Sequence, residues 1–182
     1  MIEVYHFITP LSDKSYQAAQ RLQAQVAGAH AEVVVRTIPV HNLQVTKDIA
    51  RELAMLGISR SLCAEISYQM ALDFKAAQLQ GNKLAQAFML ALQARILGAK
   101  AYTAELVQAA VQAVGLDYPT FLEERETADL MRAFQADQHL AREMQITTLP
   151  ATVVYDTASD GPAVRYDEFS NEPVLIDSIL QG

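Results

Sequence analysis

The sequence predicts an α/β protein in which a small mixed sheet is interrupted by a long all-helical insertion. Three observations predict this. A strand, a helix and a second strand fall within about the first forty residues. The middle of the chain then shows only helical periodicity, and two short β-rich runs return near the end, separated by a turn signal.

Each element has a local reason. "IEVYHFI" (2–8) is rich in β-branched and aromatic residues, and Pro10 ends it. Residues 15–27 carry Ala18, Leu22, Ala24 and Val26 and stop at Gly28. "AEVVVRTIP" (31–39) is a second strand closed by Pro39, so the three elements form a βαβ unit with parallel strands. Thr46 is placed to cap a short helix to Met55, stopped near Gly57. A longer helix follows over 61–80, with Cys63, Ile66, Met70 and Phe74 at the spacing of one buried face. Gly81 breaks it, and 83–97 continues as a helix to Gly98. Thr103 caps the next, with Gly115 where a helix-ending glycine belongs. Asp117 opens a short helix that tolerates Pro119 in its first turn, and Thr127 caps the helix over 128–144. "ATVVYD" (151–156) and "AVRYD" (163–167) read as a hairpin around "TASDGP", and 172–181 as a closing helix. The organisation expected is a core of residues 1–45 and 145–182 and an insertion of 46–144.

Composition narrows the function. The 182 residues are long enough to bury a core without a disulfide or a metal, and the single cysteine, Cys63, allows no internal disulfide. A net charge of −7 argues against binding nucleic acid by itself. Apolar runs are strand-sized, so no membrane span is expected, and "MIEVYHFITP" lacks the build of a secretory signal. A cytoplasmic protein fits these features. There is no Gly-rich phosphate loop, no HExxH and no CxxC, and the four histidines are scattered, so no metal site is expected. Composition gives no oligomeric state.

The order of elements matches a thioredoxin fold with helices inserted after its second strand. "QADQHLAREMQITTLPATVVY" resembles the C-terminal half of the DsbA family, with Thr148-Leu149-Pro150 standing like that fold's cis-proline loop. "LQGNKLAQAFMLALQ" and "LVQAAVQAVGLDYPTFLEE" are similar to the family's inserted helices. Within the family, "AFQADQHLAREMQITTLPATVVYD" looks nearest to a firmicute branch of dithiol-disulfide isomerase-like proteins. That branch includes the adaptor that delivers the transcription factor Spx to the ClpXP protease. The resemblance implies a cis Leu149–Pro150 bond.

The resemblance also implies a redox motif, D-P-x-C-x-x-C, after the first strand. Here that segment is T-P-L-S-D-K-S, with Ser12 and Ser15 where the cysteines would stand and Asp13 and Lys14 between them. Disulfide exchange needs an attacking thiolate and a second, resolving thiol, so serine at both positions removes it. Ser12 then has two readings. It caps the helix, with Asp13 favourable in the first turn; or, as in the related kappa-class glutathione transferases, it binds a glutathione thiolate. Cys63 reads as a small buried hydrophobe on its stripe rather than an exchange thiol, and His6 as a hydrogen-bonded core residue. The run Glu123, Glu124, Arg125, Glu126 reads as a solvated helix end.

What remains is a peptide site. In this fold the backbone beside the cis-proline pairs with an extended peptide. Leu11, Ser12, Thr148, Leu149 and Pro150 are the candidate residues, with Leu11 and Leu149 as walls. The function expected is a redox-inactive, adaptor-like protein that binds a protein or peptide client without a cofactor. The alternative is a thiol-linked enzyme: a disulfide oxidoreductase or isomerase, or a glutathione-dependent transferase or isomerase using Ser12.

Overall fold

In the computed structural model, residues 1–29, 32–157 and 162–167 are described, and the statements below concern these. The sheet has four strands: β1 (Ile2–Ile8), β2 (Val33–Pro39), β3 (Ala151–Asp156) and β4 (Val164–Asp167). Their order is β2-β1-β3-β4. β1 and β2 are parallel, with Val4 opposite Val35, and β3 runs antiparallel to β1, with His6 opposite Thr152. β4 is antiparallel to β3. The βαβ unit and the hairpin expected from the sequence are both present. The closing helix expected over 172–181 lies outside the described residues.

Between β1 and β2 runs α1 (Asp13–Ala27). The insertion consists of α2 (Leu43–Glu52), a 3-10 turn (Ala54–Leu56), α3 (Arg60–Leu79), α4 (Asn82–Ala99), α5 (Ala104–Ala113), α6 (Tyr118–Arg125) and α7 (Ala128–Glu143). Three caps hold as read. The side chains of Thr103, Asp117 and Thr127 accept the N–H groups of Leu106, Thr120 and Leu130. Gly115 has φ 79°, the left-handed value that a helix-ending glycine supplies without strain.

Some boundaries differ: α1 begins at Asp13 rather than 15, and α2 ends at Glu52 rather than Met55. Thr46 does not cap α2. Asn42 does, its Oδ1 accepting Val45 N–H at 2.9 Å, and Thr46 is buried one turn inside. Either residue type caps well; burial of Val45 and Ile49 decides the register. Gly98 does not end α4, which runs to Ala99 with Lys100 beyond it at φ 54°.

The stripe of Cys63, Ile66, Met70 and Phe74 is fully buried, as read. It belongs to one continuous core that takes in Phe7, Ile8 and Ile38 from the sheet and Phe88, Phe121 and Phe134 from α4, α6 and α7. A smaller apolar layer of Ile2, Val4, Leu22, Val154 and Tyr166 lies between α1 and the sheet.

Candidate functional site

The topology brings two of the candidate segments to one end of the sheet. β1 runs out into Thr9–Ser12 and the start of α1, while β3, antiparallel to it, begins there at Ala151. The peptide bond before it, Leu149–Pro150, is cis. Pro150 is buried, Leu149 is half-buried against the core and Thr148 is exposed.

At the start of α1 the chemistry differs from simple capping. Ser12 occupies the N-cap position with extended backbone, φ −87° and ψ 130°, yet its hydroxyl satisfies no helix N–H. It donates instead to the carboxylate of Glu52, at 2.9 Å from Oε2 and 3.1 Å from Oε1. Glu52, from the last turn of α2, also accepts the N–H of Asp13 at 3.1 Å. The cap of α1 is therefore a carboxylate delivered from another helix. A negative charge belongs there, because the N-terminus of a helix presents unpaired N–H groups and the positive end of its dipole. Asp13 stands in the first turn as expected.

Ser15 is fully buried and its Oγ accepts Thr9 N–H at 3.1 Å, which ties the loop after β1 onto the helix. Behind it, Thr9 Oγ1 lies 3.5 Å from Ser67 Oγ, and Ser67 Oγ lies 3.5 Å from His41 Nδ1. Burial lowers the pKa of His41, which also stacks at a tilt on Tyr68. These are long contacts that pack polar atoms together without aligning a strong proton path. Sequence reasoning missed Glu52, Ser67 and His41 because each meets the site only through the tertiary fold.

Leu11 needs correction. Its side chain is wholly buried in the core and its carbonyl accepts the amide of Gln93 at 3.2 Å, so it is no wall of an open groove. Exposed apolar groups near Glu52 in sequence, among the described residues, include Leu43 and Met55, 78% and 94% accessible. The reading of 123–126 as a solvated end holds for the exposed Glu123 and Glu126 but not for Arg125. That guanidinium bonds the fully buried Asp73, together with Gln69 and the hydroxyl of Tyr102. Burial raises the pKa of Asp73 against the opposing pull of Arg125 and Tyr102.

His6 is 1% exposed and its Nδ1 lies 3.0 Å from Thr152 Oγ1, a hydrogen-bonded core histidine as read. Cys63 is fully buried, and desolvation pushes its thiol pKa up, which disfavours the reactive thiolate. Among the described residues no group of histidine, cysteine and carboxylate side chains could hold a metal, and no helix is long and apolar enough to cross a membrane.

A parallel β1–β2 pair, an antiparallel β3–β4 hairpin opened by a cis-proline, and helices inserted between them define a thioredoxin-like fold of the DsbA type. The chain belongs to the Thioredoxin_5 family, described as thioredoxin, whose model matches residues 5–176. It carries the family's frame without its CxxC, since Cys63 is its one cysteine. Among curated relatives it is 36% identical over 156 residues to the ClpXP adapter protein SpxH of Staphylococcus haemolyticus, covering 85% of this chain and 55% of that one. The SpxH of Staphylococcus saprophyticus is 29% identical over 157 residues, with 85% and 56% covered. The chain thus spans about half the length of the curated relatives it matches. Solved structures of similar fold include the cytosolic disulfide reductase DsbM of Pseudomonas aeruginosa, with TM-score 0.64, 16% identity and 98% and 96% of the two chains covered. DsbA2 of the same organism superposes with TM-score 0.63 at 18% identity, over 98% and 86%.

Proposed function

We propose that this chain is a cytosolic, redox-inactive adaptor that holds an extended segment of a protein client without a covalent link, at the end of the sheet marked by Leu149 and Pro150, and presents it to a ClpXP-type protease. The carrying observation is the state of the two positions that would hold exchanging sulfurs. Both are serine, both are buried, and both hydroxyls are engaged inside the protein, Ser12 with Glu52 and Ser15 with Thr9. The remaining sulfur is in the core. Frame without chemistry is what a binding protein keeps, and the SpxH relatives carry the adapter name.

The glutathione reading is weakened by the same geometry. The Ser12 hydroxyl already donates to a carboxylate, and that carboxylate would repel an incoming thiolate. Among the described residues no imidazole is bonded to Ser12 to activate it as a nucleophile.

The test is a purified ClpXP degradation assay with Spx as the client, run with and without this chain. Degradation is expected to accelerate, equally in dithiothreitol and after Cys63→Ser, and to fall when Leu149→Asp places a charge beside the cis-proline. Acceleration that needs Cys63, or that is abolished by reductant, would overturn the reading in favour of thiol exchange.

A further inference from the structure

Among the described residues β2 lies at one edge of the sheet, and the first half of its outer side is open. Ile2 N–H donates to Glu32 O, and Val40 N–H to Ile8 O. Even-numbered residues of β2 therefore turn their backbone groups to β1, and odd-numbered residues turn theirs outward. Toward the end of the strand two side chains cover the outward carbonyls. Gln78 donates to Thr37 O at 3.0 Å and Gln138 to Pro39 O at 2.8 Å. Toward its start, the N–H and C=O groups of Val33 and Val35 have no partner among the described residues. Sheets commonly guard such an edge with lysine, proline or a bulge. Here the open stretch is three consecutive valines.

The side chains along this stretch alternate between two faces. Val33 and Val35 pack with Leu22 in the apolar layer against α1. Glu32, Val34 and Arg36 share the opposite face and are all exposed, Val34 by 49%. Arg36 Nη2 bonds the buried Asp137 of α7 at 2.8 Å, yet 53% of the Arg36 side chain is still accessible. The exposed face thus runs acid, apolar, base. A second strand of the same sequence, laid antiparallel, runs base, apolar, acid, and so each group meets its complement.

We propose that β2 pairs edge to edge with β2 of a second copy of this chain, antiparallel about a twofold axis at Val34. In this register Val33 and Val35 of one copy exchange N–H···O bonds with Val35 and Val33 of the other, which uses the groups left open and no others. The two Val34 side chains meet at the centre, and each Glu32 faces the Arg36 of the other copy. A register centred on Val35 fits less well: it needs the Thr37 carbonyl that Gln78 already occupies, and it sets Val34 against Arg36. The contact is self-complementary, as a twofold dimer requires. That self-complementarity is what favours a second copy over an extended peptide of unrelated sequence. β1 separates this edge from β3 and Pro150, so the contact is distinct from the client site.

The test is sedimentation equilibrium of the full chain at low salt, with amide exchange of the unaltered protein followed at two concentrations. A reversible dimer is expected, with the Val33 and Val35 amides exchanging more slowly in the concentrated sample. Glu32→Lys sets lysine against Arg36 at both ends and should weaken the dimer about tenfold or more. Arg36→Glu should weaken it similarly by setting glutamate against Glu32. An equal mixture of the two variants restores opposite charges at both ends and should dimerise again. A chain that stays monomeric at about 1 mM would overturn the proposal and leave the edge to another occupant. A dimer whose Val33 and Val35 amides exchange as fast as in the monomer would overturn it too, as would a mixture that associates no better than either variant alone. The exchange measurement decides the matter even if Arg36→Glu, which also takes a partner from Asp137, fails to fold.

Discussion

Acid should unfold this protein through one residue in particular. His6 is fully enclosed between the sheet and α1, and desolvation, with a smaller contribution from Arg21, lowers its pKa from 6.5 to about 4. Above the unfolded value both states carry a neutral ring, and the stability associated with that ring is intact. As pH falls below it, the unfolded chain takes up a proton that the folded chain refuses, so folding loses free energy until the folded value is reached. The linkage relation puts the loss at about 2 kcal/mol by about pH 5 and about 3 kcal/mol by about pH 4. That is a large share of the ~5–15 kcal/mol that stabilises an ordinary domain. The assay is urea unfolding across this range for the wild type and for His6→Gln, which keeps a polar side chain but does not titrate here. Subtracting the two curves removes the carboxylates common to both. The wild type should lose about 3 kcal/mol more than the variant. Parallel curves, or an NMR titration of His6 centred near the ordinary histidine value, would refute the reasoning and show that water reaches the ring.

Three further outcomes are expected. Arg125→Ala strands the buried carboxylate of Asp73 and should cost about 3–5 kcal/mol in urea unfolding, whereas Arg125→Met combined with Asp73→Leu, which leaves no unpaired charge, should cost less. Glu52→Ala removes the carboxylate from the start of α1 and should cost about 1–2 kcal/mol, with faster amide exchange at Asp13. The wild type should not reduce insulin; Ser12→Cys with Ser15→Cys should acquire weak thiol exchange, and adding Glu52→Gln should strengthen it, because the carboxylate holds a neighbouring thiol protonated.

What could be read from the sequence was what local chemistry decides. Thr103, Asp117 and Thr127 cap helices within three residues of their own position, so their type and place suffice. The buried stripe of α3 declares itself by period, and the strands by their β-branched runs. The DsbA-like order and the Thr-Leu-Pro signal located the cis bond. The site is legible only in part because its partners are distant. Glu52 reaches Ser12 across forty residues of sequence, Arg125 reaches Asp73 across 52, and Thr152 reaches His6 across 146. Leu11 was misjudged for a related reason: an apolar residue at the head of a helix can face out or in, and only the folded structure, in which it is wholly buried, shows that it faces in.

The consequence of having serine rather than cysteine can be followed at a single place, the first turn of α1. In a redox-active relative that turn stabilises a thiolate, because the free N–H groups and the helix dipole favour negative charge. Here the sulfur is gone, but the electrostatic demand of the helix is not. Glu52 answers it, with one carboxylate oxygen on Asp13 N–H and both within reach of the Ser12 hydroxyl. A carboxylate in that position disfavours a thiolate beside it, so serine at position 12 and Glu52 at the start of α1 form one consistent arrangement. It also frees the turn from dependence on any ligand's charge. Under the proposed function, a client docking beside Pro150 would meet a helix start already capped by Glu52, and would be held by apolar contact and backbone pairing rather than by an anion at the helix. That is why a charge introduced at Leu149 is expected to disturb capture while alkylation of the buried Cys63 is not.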